Sequence, residues 1–270
     1  MSSATELIAR RELLWNLTLR EMRARYKRSV LGWTWSMLNP LATMLIYTFV
    51  FSVVFDTQPP KGDPSGLQSY AAFLLSALLA WSFFNVSVTT GMASIVTNAA
   101  LVKKVSFPRE HLVLSTVGAG LLTFAIEVGV LSVVLLILGN FTVLLWLPLV
   151  AVAAGMLAMF TAGIAMALGA ANVYFRDLTY LWTIIAQAWF FTTPLVYPPS
   201  VVEQRIPAWA FAIYDHLPMA VMARVMRNLL YDLRFPAMSD WGLLFGYGLV
   251  TLLAGWWAFT KLEGRFAEEL

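Results

Sequence analysis

The sequence predicts an all-α, polytopic membrane protein. Six transmembrane helices follow an N-terminal amphipathic interface helix, and outer re-entrant half-helices precede the last span. Three observations predict this. Of 270 residues, 60% are hydrophobic and only 12% charged, against about half and about a quarter in a soluble domain. The apolar residues gather in runs near the roughly 20 residues that cross a bilayer as a helix. Lys and Arg gather on alternate connections, which sets an orientation. One bundle follows rather than several soluble domains: residues 1–32 as interface helix, 33–270 as transmembrane domain. Cys is absent, which excludes disulfides and thiolate metal sites.

Residues 4–28 read as a helix lying on the membrane. Ile8, Trp15, Leu19, Met22 and Tyr26 share a narrow stripe, and most other positions are polar. An Arg-rich helix with aromatic residues on its apolar side suits the interfacial plane; the alternative is a solvated helix on a soluble face. The stretch RARYKRSVLGWTWSMLNPL then passes from Arg23, Arg25, Lys27 and Arg28 straight into Gly32, two Trp and an apolar run. The first span is expected over 33–55, with Trp33 and Trp35 at the headgroup level and a kink at Pro40. No small-residue cleavage site follows it, so it is expected to act as an uncleaved anchor.

A Pro- and Gly-rich loop at 56–68 leads to the second span, 70–96, the most polar of the set, with Ser76, Ser82, Asn85, Ser87, Thr89 and Thr90. The short connection NAALVKKVSFPRE, 98–110, carries Lys103, Lys104 and Arg109, and Pro108 ends any helix before it. The third span covers 111–138 and the fourth 144–171. In the fourth, Ala154, Ala158 and Ala162 are spaced by four, as are Gly163, Ala167 and Ala171. Small residues at that spacing let helices approach closely in lipid, which places this span inside the bundle.

NVYFRDLTY, 172–180, is a second short polar connection, with Arg176 beside Asp177. The fifth span, 178–196, ends in TTPLVYPP. Between 200 and 234 the apolar pieces 208–214 and 218–231 are too short to span and are split by His216-Leu217-Pro218. They read as half-helices, tolerated where they pack on protein or face water. The last span is 241–259. Residues 1–32 carry seven Lys and Arg, the 98–110 connection three, the tail two and the 56–69 loop one. Both termini are therefore expected in the cytoplasm. Arg205, Arg224, Arg227 and Arg234 run against this count, offset by Glu203, Asp215 and Asp232.

The chemistry is sparse. No Gly precedes a Lys, so the chain has no P-loop. The two His, His111 and His216, are far apart, and no H-E-x-x-H or G-x-S-x-G occurs. Glu127 is the one charged residue well inside a span, an expensive placement that points to function by default. Two roles stay open for it: lining a polar path, or holding a neighbouring helix. The aromatic residues Tyr47, Phe51, Trp81, Phe84, Trp182 and Trp189 pack or mark the interface in one reading. In the other, flat rings beside hydroxyls suit the C–H faces and polar rims of sugars.

Two stretches carry a resemblance: RYKRSVLGWTWSMLNPL, 25–41, and NVYFRDLTYLWTIIAQAWFFTTPLVYP, 172–198. They resemble the permease subunits of type-2 ABC exporters that move polysaccharides, a group with O-antigen, teichoic-acid and galactan exporters. The resemblance implies a homodimer in the bacterial cytoplasmic membrane, joined by two copies of a separate P-loop ATPase that binds ATP and Mg. This chain would then bind no cofactor, be no enzyme by itself and have no nucleic-acid partner. Lys103, Lys104, Phe107, Arg109, Arg176 and Asp177 would meet the ATPase, with the coupling loop at 98–110. The half-helices at 200–234 would cap the channel exit. Tyr47, Phe51, Trp81, Phe84, Trp182, Trp189 and Glu127 would line a glycan channel. Arg23, Arg25, Lys27 and Arg28, each gaining about 1 kcal/mol from anionic lipid, would receive the diphosphate headgroup of a lipid-linked glycan. Competing readings are a drug or small-lipid exporter of the same superfamily, a membrane glycosyltransferase using a lipid-linked sugar, and an assembly scaffold.

Overall fold

The computed structural model describes residues 11–26, 31–32, 34–56, 58–105 and 107–270; the side chains of Arg25, Tyr26 and Ala267 also lie outside the description. Among the described residues every regular element is helical. Helix α1 spans Arg11–Tyr26 and packs along the third long helix. Its buried residues are Leu17, Thr18 and Met22. Thr18 donates to the Leu14 carbonyl (2.8 Å), which leaves its methyl and hydroxyl against the bare Cα of Gly118. The expected stripe is therefore displaced: Met22 faces inward, Leu19 is half-buried and Trp15 is exposed. The reason is that α1 docks on a helix as well as on any membrane surface, and the docking face is centred on Thr18. Ile8 lies outside the described residues.

Helix α2, Thr34–Tyr47, passes through Pro40 and continues in wider π-helical turns over Thr48–Val54. It is the most peripheral long segment: only Ser36 and Pro40 are buried. Helix α3, Tyr70–Thr97, starts at Ser69, whose hydroxyl accepts from the Ala72 amide. It is the centre of the bundle, touched by α2, by the two helices after it and by the broken helices near the end. Its polarity does not conflict with that position. Ser76, Thr89, Thr90 and Ser94 donate to carbonyls three or four residues back, at 2.7–2.8 Å, which satisfies each hydroxyl within its own helix.

A short helix, α4, Ala99–Lys104, precedes α5, Glu110–Ile137. Gly139 takes a left-handed φ of 88° at the turn into α6, Val143–Tyr174. The inner face of α6 includes Ala153, Ala154, Leu157, Ala162, Gly163, Ala165, Met166 and Gly169. Of the expected small-residue rows Ala154, Ala162 and Gly163 are buried, while Ala158, Ala167 and Ala171 are half-buried, because α3 rather than α6 takes the centre of the bundle. Helix α7, Leu178–Thr192, has 15 residues and a length of about 22 Å at 1.5 Å per residue. That is less than the roughly 30 Å of a hydrocarbon core. It stops short of the expected Val196 because the backbone turns extended at Thr193 before Pro194.

After the four-residue α8, Ser200–Glu203, come α9, Ala208–Asp215, and α10, Pro218–Arg227, extended by a π-turn over Asn228–Asp232. Met219 to Met226 are buried except the half-exposed Arg224, and α10 packs on α3, α6 and the last long helix. Helix α11 runs from Met238 to Leu262 and ends in a 3₁₀ turn and a short α12, Phe266–Glu269. It crosses α6 closely, where Gly163 and Gly255 lie backbone to backbone. Among the described residues five segments are long and apolar enough to cross a membrane: Thr34–Val54, Tyr70–Thr97, Glu110–Ile137, Val143–Tyr174 and Met238–Arg265.

Candidate functional site

The basic connections converge at one end of the bundle. Arg109, just before α5, donates to the Glu263 carbonyl and lies 5.9 Å from the Phe266 ring. The Tyr174 hydroxyl, at the end of α6, donates to the Leu262 carbonyl (2.8 Å), and its ring meets Phe266 at 6.3 Å. The connections after α3 and α6 and the C-terminal segment thus share one small aromatic knot. Lys103, Lys104, Arg176 and Asp177 are exposed around it, and Phe107 and Arg109 are half-buried. Arg109 is therefore engaged within the chain, while the two Lys and the Arg176–Asp177 pair face outward.

Helix α1 joins this end through a contact that the sequence did not reveal. Arg20 Nη2 donates to Asn98 Oδ1 at 3.1 Å and to Glu21 Oε1 at 2.9 Å. Asn98 is the first residue of the connection that carries Lys103 and Lys104. Of the basic cluster that follows α1, Arg23 is exposed. The side chain of Arg25, and Lys27 and Arg28 entirely, lie outside the described residues.

The seven residues expected along a channel fall into three places. Tyr47 and Phe51 stack at 5.9 Å, and Phe51 stacks on Tyr70 at 4.4 Å. Phe51 and Tyr70 wall a hollow of about 460 Å³ beside Phe73 and Tyr197. Trp81 and Trp182 wall a second hollow of about 440 Å³ with Asn85, Thr89 and Gln187; Trp182 Nε1 donates to Thr89 Oγ1 at 3.1 Å. Phe84 is fully buried behind them, 5.3 Å from Trp189, 6.0 Å from Trp182 and 5.6 Å from Phe160. Its contacts, edge-to-face with the two Trp and tilted with Phe160, join α3, α6 and α7, so Phe84 packs rather than faces a hollow. Trp189 is half-buried in the same cluster, 6.2 Å from Trp81. Glu127 is in neither place. It borders a third hollow, of about 340 Å³, between α2, α3 and α5.

Three of the four Arg residues that ran against the topology count have local partners. Arg234 reaches Asp232 at 3.6 Å, and Arg205 is exposed. Arg224 bridges Asp215 Oδ1 (2.6 Å) and Asp240 (2.7 and 3.1 Å). Burial lowers its pKa, but the two carboxylates outweigh burial and raise it. Arg227 is buried. Its guanidinium carbon lies 4.0 Å from the Phe73 ring centre, and Nη2 donates to the Leu195 carbonyl at 2.6 Å. Burial pulls its pKa down to about 10, so it is still a cation at neutral pH. The Tyr231 hydroxyl reaches the Pro60 and Leu67 carbonyls (2.7 and 3.0 Å) and pins the 56–69 loop to this end. Among the described residues no three His, Asp or Glu side chains are grouped to hold a metal ion.

The comparisons with known proteins agree with this architecture. The chain is 31% identical over 264 residues to the O-antigen export system permease protein RfbA of Klebsiella pneumoniae, covering 96% of this chain and 95% of that one. It is 30% identical over 266 residues to the protein of the same name from Myxococcus xanthus, covering 98% of both. The family described as ABC-2 type transporter matches residues 12–231, from the second residue of α1 to the π-turn after α10, and the chain belongs to that family.

Proposed function

We propose that this chain is the membrane subunit of an ATP-driven exporter that moves a lipid-linked polysaccharide from the cytoplasmic to the outer leaflet. The observation that carries the reading is the near full-length similarity to two O-antigen export permeases, and five apolar segments long enough to span support it. A separate ATPase supplies the energy and holds ATP and Mg, a reading with which these 270 residues, lacking a P-loop, are consistent. Two ATPase copies act on a homodimer of this chain.

In this reading α7 is the fifth of six membrane segments, completed by the apolar residues that follow it. Its exposed Tyr180, Ile184 and Phe191 face lipid or the second copy. Segments α8 to α10 form the outer re-entrant piece. The end that carries Lys103, Lys104, Arg176, Lys261 and Arg265 is cytoplasmic by the positive-inside rule. Lys103, Lys104, Phe107, Arg176 and Asp177 form the ATPase-facing surface, with Arg109 behind them tied to the Glu263 carbonyl. Arg23, Arg25, Lys27 and Arg28 receive the diphosphate headgroup. Tyr47, Phe51, Trp81, Trp182 and Trp189 face the glycan path across the dimer. The bacterial inner membrane, with both termini inside, is the expected location.

Deletion of the gene in its own host tests the function. Export predicts loss of a surface glycan and accumulation of the lipid-linked chain inside, both restored by the wild-type gene. An unchanged surface glycan would overturn the reading, and loss of the glycan with no lipid-linked intermediate would favour the glycosyltransferase.

A further inference from the structure

The end of α11 is held from both basic connections. The last carbonyls of a helix have no partner inside it. Here two of them are met from elsewhere. Tyr174, at the end of α6, donates its hydroxyl to the Leu262 carbonyl (2.8 Å). Arg109, just before α5, donates to the Glu263 carbonyl, and its guanidinium faces the negative end of the helix dipole. Tyr174 therefore ties down the start of the connection that carries Arg176 and Asp177, and Arg109 ties down the end of the one that carries Lys103 and Lys104.

One ring joins these ties. Phe266, the first residue of α12, is fully buried. It meets Phe259 of α11 edge-on at 5.5 Å and Tyr174 at 6.3 Å, and the Arg109 guanidinium carbon lies 5.9 Å from its centre. Helix α12 also packs on α4 and α6. Helix α4 has six residues, fewer than the roughly 12 that make even a marginal helix alone in water. Its position is set by packing, and its main packing partners are α12 and α3. Val102 is buried, while Leu101 and Leu270 are half-buried against the core. Helix α11 in turn meets α6 backbone to backbone at Gly255 and Gly163. A shift of either connection thus reaches segment 263–270, and through it the other connection.

We propose that segment 263–270 is a brace that makes the two connections move as one body, and that Phe266 is the positioning residue at its centre. The inference rests on the export reading and deepens it: what the ATPase does to one connection is passed to the other and to α11. Phe266 acts by fixing α4 and the Arg109 end of the 98–110 connection.

The test uses the full chain with the ATPase recovered from its native membrane, in lipid nanodiscs, and reads amide hydrogen exchange. Export is read as surface glycan in the deletion host, per assembled complex. Tyr174→Phe removes the hydroxyl that meets Leu262 and keeps the ring. The brace expects exchange in 98–110 to speed up about fivefold, the scale of one lost hydrogen bond, although the change lies at the other connection. Phe266→Ala should speed exchange about tenfold in both 98–110 and 172–180 and leave the 56–69 loop unchanged. Export should fall several-fold in Phe266→Ala with the KM for ATP unchanged, and Phe266→Leu, which keeps apolar volume, should restore most of it. Faster exchange confined to 172–180 in Tyr174→Phe would mean that the connections move separately and would overturn the brace. So would a lower unfolding midpoint in Phe266→Ala with export per complex unchanged, which makes Phe266 an ordinary core residue. If Phe266→Ala fails to insert, Tyr174→Phe decides by the same readings. A wild-type chain that carries no ATPase would overturn the export reading itself, and exchange in the chain alone would still decide the brace.

Discussion

The guanidinium of Arg227 lies over the ring of Phe73, 4.0 Å from its centre, and donates to the Leu195 carbonyl. One buried cation thereby joins α10, α3 and the extended segment after α7. Phe73 also meets Tyr231 edge-on at 5.6 Å, and Tyr231 holds the 56–69 loop. Phe73→Leu should cost about 1–2 kcal/mol, the scale of a desolvated cation–π contact. Arg227→Ala should cost more, about 3 kcal/mol, because it leaves a void and an unmet carbonyl. Thermal unfolding in detergent measures both. A loss below about 0.5 kcal/mol for Arg227→Ala would mean the contact holds little together.

The crossing of α6 and α11 gives a second prediction. A Cβ at Gly163 would meet the Thr251 backbone, and one at Gly255 would meet the backbone of Gly163. Neither obstacle is a flexible side-chain end. Gly163→Ala should destabilise by about 1–3 kcal/mol through overpacking. Gly242→Ala, on the same helix α11 with open space around it, should be neutral or gain up to about 1 kcal/mol from helix propensity. Both are read from the unfolding midpoint, and equal effects at the two sites would refute the close approach.

The Arg20–Asn98 bond joins two surface elements. Both groups are solvent-accessible, so Arg20→Ala and Asn98→Ala should change stability by less than about 1 kcal/mol. If the bond carries motion from the 98–110 connection to α1, both variants should lower ATP-driven export several-fold with ATPase binding retained. Normal export in both would reduce the bond to a surface contact.

Asp232 predicts a pH effect. Burial raises its carboxyl above the usual 3.8, opposed by the Asp63 amide at 3.3 Å and by Arg234 at 3.6 Å. A raised folded pKa means that the folded chain takes up the proton before the unfolded one. Stability from this group is therefore present in full below pH 3.8 and is lost as pH rises through the folded value. On acidification from neutral pH, the wild type should gain stability relative to Asp232→Asn in the window above 3.8. Parallel pH profiles of the unfolding midpoint would contradict the assignment.

Much of the bundle was legible because long helices in an apolar medium announce themselves by composition. Helices α3, α5 and α6 begin and end within a few residues of the apolar runs, and the Gly and Ala spacing of α6 marked part of its inner face, Ala154, Ala162 and Gly163. What was not legible depends on contacts between distant positions. Arg224 and Arg227 read as charges of an outer region offset by Glu203, Asp215 and Asp232. Asp215 does meet Arg224, but Asp240, 16 residues on, and the α3 ring over which Arg227 lies were not foreseen. Likewise the stripe on α1 was read for a lipid plane, but Thr18 packs on Gly118 of another helix. The aromatic residues could be listed from the sequence but not sorted. Only the packing separates Phe84, enclosed by Trp182 and Trp189, from Trp81 at the edge of a hollow. Glu127 was identified by its charge alone, and the described polar groups that line its hollow come from three helices.

The export reading is tested most directly by purifying the chain gently from its native membrane and identifying what accompanies it by mass spectrometry. The account predicts a P-loop ATPase in equal amount, with lipid-linked glycan in the same particle. Recovery of the chain in active membranes with no ATPase would contradict it.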